Sequence, residues 1–296
     1  MCYNQFGDSM ICNLCPRRCS AVRGETDGSG FCGLGLLPKI ARIAPHYWEE
    51  PCISGKKGSG AVFFSGCTLK CVFCQNYEIS AKKRGRYITV KQLSEEFKKL
   101  ESMGVHNINL VSPTPYVEAI IQALDIYRPS LPIVYNCSGY ENVDTLKKLE
   151  GYIDIYLPDF KYISNELALK FSGAKNYSET ALTAIGEMLR QTGDAEFDEN
   201  NMMKRGTIIR HLVLPNHTKN SIAALKLIAE SFDNPLVSLM CQYVPFGKAK
   251  EIKELNRKVT RREYEKVKQV LFELELDGFV QELSSADEKY IPVWDY

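Results

Sequence analysis

The chain has 296 residues, 45% hydrophobic and 25% charged, with a formal net charge of +1. That composition suits a globular protein with a sizeable core, and the near-neutral balance gives no bulk electrostatic argument for nucleic acid or a membrane surface. The opening "MCYNQFGDSM" lacks the basic patch and apolar stretch of a secretory signal, and no apolar run approaches the roughly 18 residues of a membrane span, so the expected location is the cytoplasm.

Residues 1–55 are rich in cysteine, glycine and arginine and show little periodicity, which predicts a small, loop-rich lobe that needs a staple. Regular alternation follows over 56–270. Strand-like runs stand at 61–65, 107–111, 132–136, 153–160, 207–215 and 236–244. Helical patterns lie between and after them, the clearest being "TVKQLSEEFKKLESMG" (89–104): Thr89 caps it, Leu93, Phe97 and Leu100 share a face, and Gly104 ends it. The others are 115–127, 141–152, 177–193, 219–232 and 260–278. Strand–helix alternation implies right-handed βαβ units on a parallel sheet. Six units are too few for a closed eight-stranded barrel and enough for an open one, so the expected fold is a partial (β/α)6 TIM-type barrel with an N-terminal cysteine-rich lobe. Residues 271–296 read as a C-terminal extension. Chemistry on such a fold sits at the C-terminal strand ends, where this chain has "GCTLKCVFC", "SPTP", "NCSGY", "DFKY", "PNHT" and "PFGK".

Eleven cysteines in a reducing compartment point to metal or catalysis rather than disulfides. Cys2, Cys52, Cys137 and Cys241 stand alone and read as small buried hydrophobes. Cys67, Cys71 and Cys74 share one loop after the first strand. A closed zinc site or an ordinary iron–sulfur cluster wants four protein ligands. Three thiolates can hold three irons of a cubane and leave the fourth open to a substrate; the competing reading closes a structural site with a distant cysteine.

The spacing C-x3-C-x2-C, with Phe73 before the last cysteine, resembles the signature of the radical S-adenosylmethionine superfamily. "CNLCPRRC", "FFSGCTLKCVFCQNYEIS", "NINLVSPTPY", "PIVYNCSGYE", "DIYLPDFKY", "RHLVLPN" and "QYVPFGKA" resemble, in order, the pyruvate formate-lyase activating enzyme family, and within it the PflX-type iron–sulfur proteins. The likeness covers residues 12 to about 249. It implies that Cys67, Cys71 and Cys74 ligate a 4Fe–4S cluster whose open iron chelates S-adenosylmethionine. Reductive cleavage then gives methionine and a 5′-deoxyadenosyl radical that abstracts hydrogen from a substrate. It also implies cofactor contacts. Ser112 and Thr114 stand where the family has a Gly-Gly-Glu-type loop, and the acidic residue is missing. Asn136 and Ser138 stand in an Asp-Thr-Asn-Gly-like turn without its carboxylate. Asp159 and Lys161 match an Asp-Leu-Lys segment, and Arg210 matches a cofactor-contacting arginine, as a cation facing a carboxylate would. The plainer readings are a surface ion pair for Asp159 and Lys161, a strand-end charge for Arg210 and a turn residue for Asn136. His211 and His217 read as structural.

Cys12, Cys15, Cys19 and Cys32 can close a tetrahedral zinc site or bind a second iron–sulfur cluster. Arg17, Arg18, Arg23 and Lys39 are interspersed with Glu25 and Asp27 and lack interleaved aromatics, which argues against nucleic acid. Three functions follow. The first is an activase, supplied by a flavodoxin- or ferredoxin-type electron donor, that abstracts hydrogen from a glycyl radical enzyme. The second is radical modification of a small molecule or another peptide. The third is an iron–sulfur electron carrier without turnover.

Overall fold

The structure, a computed structural model, describes residues 10–290 and residue 294; Cys2 lies outside the described residues. The chain opens with an antiparallel hairpin of β1 (Met10–Cys12) and β2 (Ala21–Arg23). Then come β3 (Lys39–His46), the short helix α1 (Pro51–Ser54) and β4 (Ser59–Phe64). After the cysteine loop stand α2 (Tyr77–Ser80) and β5 (Arg86–Tyr87). Alternation continues through α3 (Val90–Ser102), β6 (Ile108–Val111), α4 (Val117–Ile126), β7 (Ile133–Cys137), α5 (Val143–Lys147), β8 (Ile155–Pro158), α6 (Asn165–Ser172) and α7 (Tyr177–Thr192). A short β9 (Glu196–Phe197) leads to β10 (Met203–Leu212), α8 (Thr218–Ser231), β11 (Leu236–Met240), α9 (Arg261–Glu273) and β12 (Gly278–Val280).

The fold is mixed α/β. β4, β6, β7, β8, β10, β11 and β12 lie side by side in chain order and pair in parallel. All six strands and six helices expected from periodicity are present. β12, from the stretch read as an extension, adds a seventh parallel strand, and α9 runs across the expected boundary at 270. Two boundaries shrink for local reasons. β8 ends at Pro158, which has no N–H to give the ladder. The helix expected over 141–152 is regular only through α5, and its remainder closes as turns.

Strand β3 was not expected. It lies within 1–55 yet pairs antiparallel with β4, from Ile40 opposite Phe64 to His46 opposite Ser59. An irregularity between Ile40 and Arg42 adjusts its register. Its other side pairs antiparallel with the two-residue β5, which forms the edge; antiparallel strands at the margin of a parallel sheet are a common addition, and the mixed burial of β3 hides it from a search for continuous apolar runs.

Alternation along the strands separates two faces. Val62, Phe64, Ile108, Leu110, Ile133 and Tyr135 pack under Leu93, Phe97 and Ile120 of the covering helices. Ile209, Val237 and Leu239 do the same beneath α8 and α9. The opposite face carries Ala61, Phe63 and Val111. Farther along it, Cys52 and Ile53 of α1 plug the strand starts against Val134, Ile155, Leu157 and Ile208. Between these apolar parts the same face presents Asn109, Asn136, Arg210 and Ser238. Among the described residues, no helix is long and apolar enough to cross a membrane.

Helix α3 has a complete capping box: the Thr89 hydroxyl accepts from the Gln92 N–H at 3.1 Å, and the Gln92 side chain accepts from the Thr89 N–H at 2.8 Å. Thr89→Ala is therefore expected to lower stability by about 1 kcal/mol, read as a lower urea midpoint at unchanged slope.

Candidate active site

The loop after β4 is held by its apolar residues. Leu69 and Phe73 are buried, and Phe73 packs edge-on to Tyr243 with ring centroids 6.0 Å apart. The Val72 N–H donates to the Phe171 carbonyl at 2.9 Å, and the Ala249 N–H donates to the Val72 carbonyl at 3.0 Å. Gly66, at φ +87°, starts the turn; a Cβ there would lie 2.3 Å from the Leu34 side chain.

Each sulfur of the triad meets a hydrogen-bond donor. The Leu69 N–H lies 3.4 Å from Cys67 Sγ, Ser172 Oγ 2.9 Å from Cys71 Sγ, and Ser80 Oγ 3.3 Å from Cys74 Sγ. Burial pushes the Cys71 thiol up to about 12, against the pull of Lys161, and the Cys74 thiol up to about 11, against the Ser80 hydroxyl. Without a metal these groups keep their protons at neutral pH; a metal centre makes them thiolates, and the donors then suit them. The three residues fit a cluster bound by three thiolates.

A charged network lies on the same face of the sheet. The Arg210 guanidinium donates to Glu49 Oε2 at 3.1 Å, Asp159 Oδ1 at 3.1 Å and Asn136 Oδ1 at 2.5 Å. Lys161 pairs with the other oxygen of Asp159. Asn109 and Asn136 each donate to Glu49 Oε1 at 3.1 Å. The charged side chains are only 11–14% exposed. Burial alone would raise the Asp159 carboxyl, but Lys161 and Arg210 outweigh it and hold the group below its ordinary value. Burial opposes the charge on Lys161, and Asp159 more than restores it.

Asn136, Asp159, Lys161 and Arg210, separate in the sequence reading, thus form one network. Ser112, Thr114 and Ser138 stand outside it. Ser112 holds φ +59° after β6. The Thr114 hydroxyl turns inward, donating at 2.8 Å to Glu141, whose carboxyl burial pushes up to about 8. Ser138 offers its carbonyl to the Tyr177 hydroxyl at 2.7 Å. His211 is fully buried with Nδ1 2.6 Å from the Phe160 carbonyl, and burial pushes it down to about 4, leaving it neutral; His217 packs edge-on to Phe171. Cys52, Cys137 and Cys241 are buried free thiols.

Glu49 escaped the sequence reading. It lies after β3, whose C-terminal end pairs with the start of β4, so it reaches the network from the opposite end to the strand-end loops. The only signal was the acidic pair in "HYWEEP". A cavity of about 390 Å³ lies beside the network, lined by Glu49, Asn136 and Arg210, by Gln75 and Asn76 just after Cys74, and by Trp48 and Tyr290. A second chamber of about 240 Å³ adjoins it and adds Glu50 and Ser238. A cavity of about 850 Å³ opens at the other end of the sheet between Lys56, His106 and Met202, away from all seven clustered cysteines. Cys12, Cys15, Cys19 and Cys32 line one further small cavity together with Thr68. Among the described residues, no three His, Cys, Asp or Glu side chains are grouped to hold a single metal ion.

Residues 61–228 match the family model of the Radical SAM superfamily. The chain belongs to that superfamily. Its members bind a 4Fe–4S cluster and S-adenosylmethionine. An uncharacterized protein of Methanocaldococcus jannaschii is 32% identical over 275 residues, covering 90% of this chain and 75% of its own length. A 7-carboxy-7-deazaguanine synthase of Methanothermobacter thermautotrophicus is 25% identical over 180 residues, 59% of this chain and 69% of its own. The crystal structure of methylornithine synthase shares the fold, with a TM-score of 0.51 at 16% identity over 75% of this chain and 63% of that one.

Arg210→Met leaves Glu49 and Asp159 buried without their shared cation and is expected to cost about 3 kcal/mol, measured by urea denaturation. The pairing of Asp159 contributes stability above the ordinary aspartate range, and that contribution is lost as pH falls through the lowered native value. In Arg210→Met the acid-side loss is expected at higher pH, which a pH series of urea midpoints would show.

Proposed function

We propose that this radical SAM enzyme holds its cluster on Cys67, Cys71 and Cys74, at the loop end of an open (β/α)6-type barrel. S-adenosylmethionine then occupies the adjoining 390 Å³ cavity. The observation that carries this reading is that Lys161, held by Asp159 in the network, acts by its charge on the Cys71 and Cys74 sulfurs, while Gln75 and Asn76, next along the chain from Cys74, share one cavity with Glu49 and Arg210. Bound together, cluster and cofactor supply a 5′-deoxyadenosyl radical that takes a hydrogen atom from the substrate. The protein binds, orients and excludes water. Lys161 and Arg210 set cations beside the cofactor, Asp159 and Glu49 hold those cations in place, and Asn136 fixes the guanidinium by a hydrogen bond. Glu49 supplies the carboxylate that the Ser112–Thr114 loop lacks. Ser112, Thr114 and Ser138 stand outside these contacts, with Thr114 bonded to Glu141 and the Ser138 carbonyl to Tyr177.

The target of the radical is a small polar molecule on this reading. Polar residues and an aromatic rim line both chambers, whose sizes suit a cofactor and a modest ligand. A matched relative is named as a small-molecule synthase. Activation of a glycyl radical enzyme is the second reading, favoured by the ordered segments from "CNLCPRRC" to "QYVPFGKA". Anaerobic reconstitution with iron and sulfide, reduction and addition of S-adenosylmethionine is expected to yield 5′-deoxyadenosine from wild type and none from Cys71→Ala. No product from wild type with an intact, reducible cluster would overturn the reading. A glycyl radical signal on an added partner enzyme, by electron paramagnetic resonance, would favour the second target over the first.

A further inference from the structure

We propose that Cys12, Cys15, Cys19 and Cys32 hold a second iron–sulfur cluster, and that electrons reach the loop cluster through it. This rests on the reading of Cys67, Cys71 and Cys74 given above. The four thiols come from a hairpin end and two loops yet line a single cavity, and Thr68, from the Cys67–Cys71 loop, forms part of its wall.

Charge points to an anionic centre there. Arg23 is 2% exposed, and its described partners are the carbonyls of Leu34 and Gly35 and the Cys12 sulfur, 3.9 Å from Nη1. A buried guanidinium facing only neutral acceptors is costly, and a centre built from four thiolates supplies the missing negative charge. Among the described residues no group stands ready for a single metal ion, and four thiolates can hold either a zinc ion or a four-iron cluster. A four-iron cluster takes its thiolates spread over a larger body.

The lobe is fastened to the active-site loop at several points. Arg17, between Cys15 and Cys19, donates to the carbonyls of Thr68, Gly173 and Ser172, the last two at 3.0 and 3.2 Å. The hydroxyl of the same Ser172 lies on Cys71 Sγ. Arg17 also stacks 3.5 Å above the ring of Phe31, the neighbour of Cys32. Lys70, between Cys67 and Cys71, lies 4.5 Å from the same ring and donates to the Phe31 carbonyl at 2.6 Å. Phe31 is thus held between a cation from each cysteine cluster. Positive charge beside a cluster stabilises its reduced form, and Arg17, Arg23 and Lys70 provide it along the whole junction. Cys19 is exposed, so an external donor can approach the lobe side.

The step is one electron. An external donor of the reduced flavin or ferredoxin type is oxidised by one electron, the lobe cluster is reduced and then reoxidised, and the loop cluster receives the electron. No bond forms or breaks in the lobe.

The test begins with metal content. Wild type reconstituted anaerobically should hold about eight irons and eight sulfides per chain, and Cys19→Ala about four fewer. A Cys67→Ala/Cys71→Ala/Cys74→Ala variant, its folding checked by circular dichroism, should keep about four irons. On reduction with titanium(III) citrate it should show a cluster signal by electron paramagnetic resonance. Zinc in the lobe, or only about four irons in wild type, overturns the proposal. For electron intake, 5′-deoxyadenosine formation is driven in parallel by reduced flavodoxin and by titanium(III) citrate. Cys19→Ala should lose far more of the flavodoxin-driven rate than of the titanium-driven rate. Equal losses overturn the electron route. Eight irons without 5′-deoxyadenosine would refute the loop reading while leaving the second cluster standing.

Discussion

A single buried guanidinium organises the polar part of one face of the sheet. Arg210 reaches from β10 to Asp159 beyond β8, Asn136 on β7 and Glu49 beyond β3, so four segments distant in sequence converge on one planar group. Arginine suits this role because its donors fork in fixed directions and it stays charged when buried. The arrangement carries a constraint. Each carboxylate is made tolerable in the interior in part by Arg210, and Arg210 by the carboxylates that face it. Asp159 balances two cations, Lys161 and Arg210, and that balance keeps it ionised despite burial. This face of the sheet therefore has a fixed polarity before any ligand arrives.

Much of this was legible in the sequence. Strands with two buried faces read as apolar runs, and helices with one covered face read as amphipathic periods, so the alternating core declared itself. The cysteine triad was visible because its spacing is local. Asn136, Asp159, Lys161 and Arg210 were visible through the segments that resemble the activating-enzyme family, not through periodicity. What periodicity could not show was pairing. β3 has mixed burial and runs antiparallel, so neither of its faces gives a clean signal. Glu49 follows β3 and enters from the starting end of the sheet, where a reading confined to strand ends does not look. Thr114 shows the converse. It stands in a strand-end loop, yet its hydroxyl is committed to Glu141 in the interior.

The cysteine-rich lobe and the sheet are not independent bodies joined by a linker. Arg17 spends its whole donor fork on the active-site loop and on the end of α6, and Asn142 and Thr145 donate to the Asn13 and Leu14 carbonyls from the other side. The segment has too little apolar surface to fold by itself, and it gains its order from these polar contacts and from whatever its thiols bind. A change in the lobe is therefore felt at Ser172, one hydrogen bond from Cys71.

The irregularity between Ile40 and Arg42 fixes how far β3 has advanced along β4 when it leaves the sheet. A strand moves in steps of about 3.3 Å per residue. One step of slippage would carry Glu49 farther than the length of any hydrogen bond it makes to Arg210, Asn109 or Asn136. The register of β3 thus acts as a mechanical stop for a carboxylate on the face of the sheet. Insertions or deletions in β3, harmless in the margins of many folds, would here be read out as a change in the charge around Arg210.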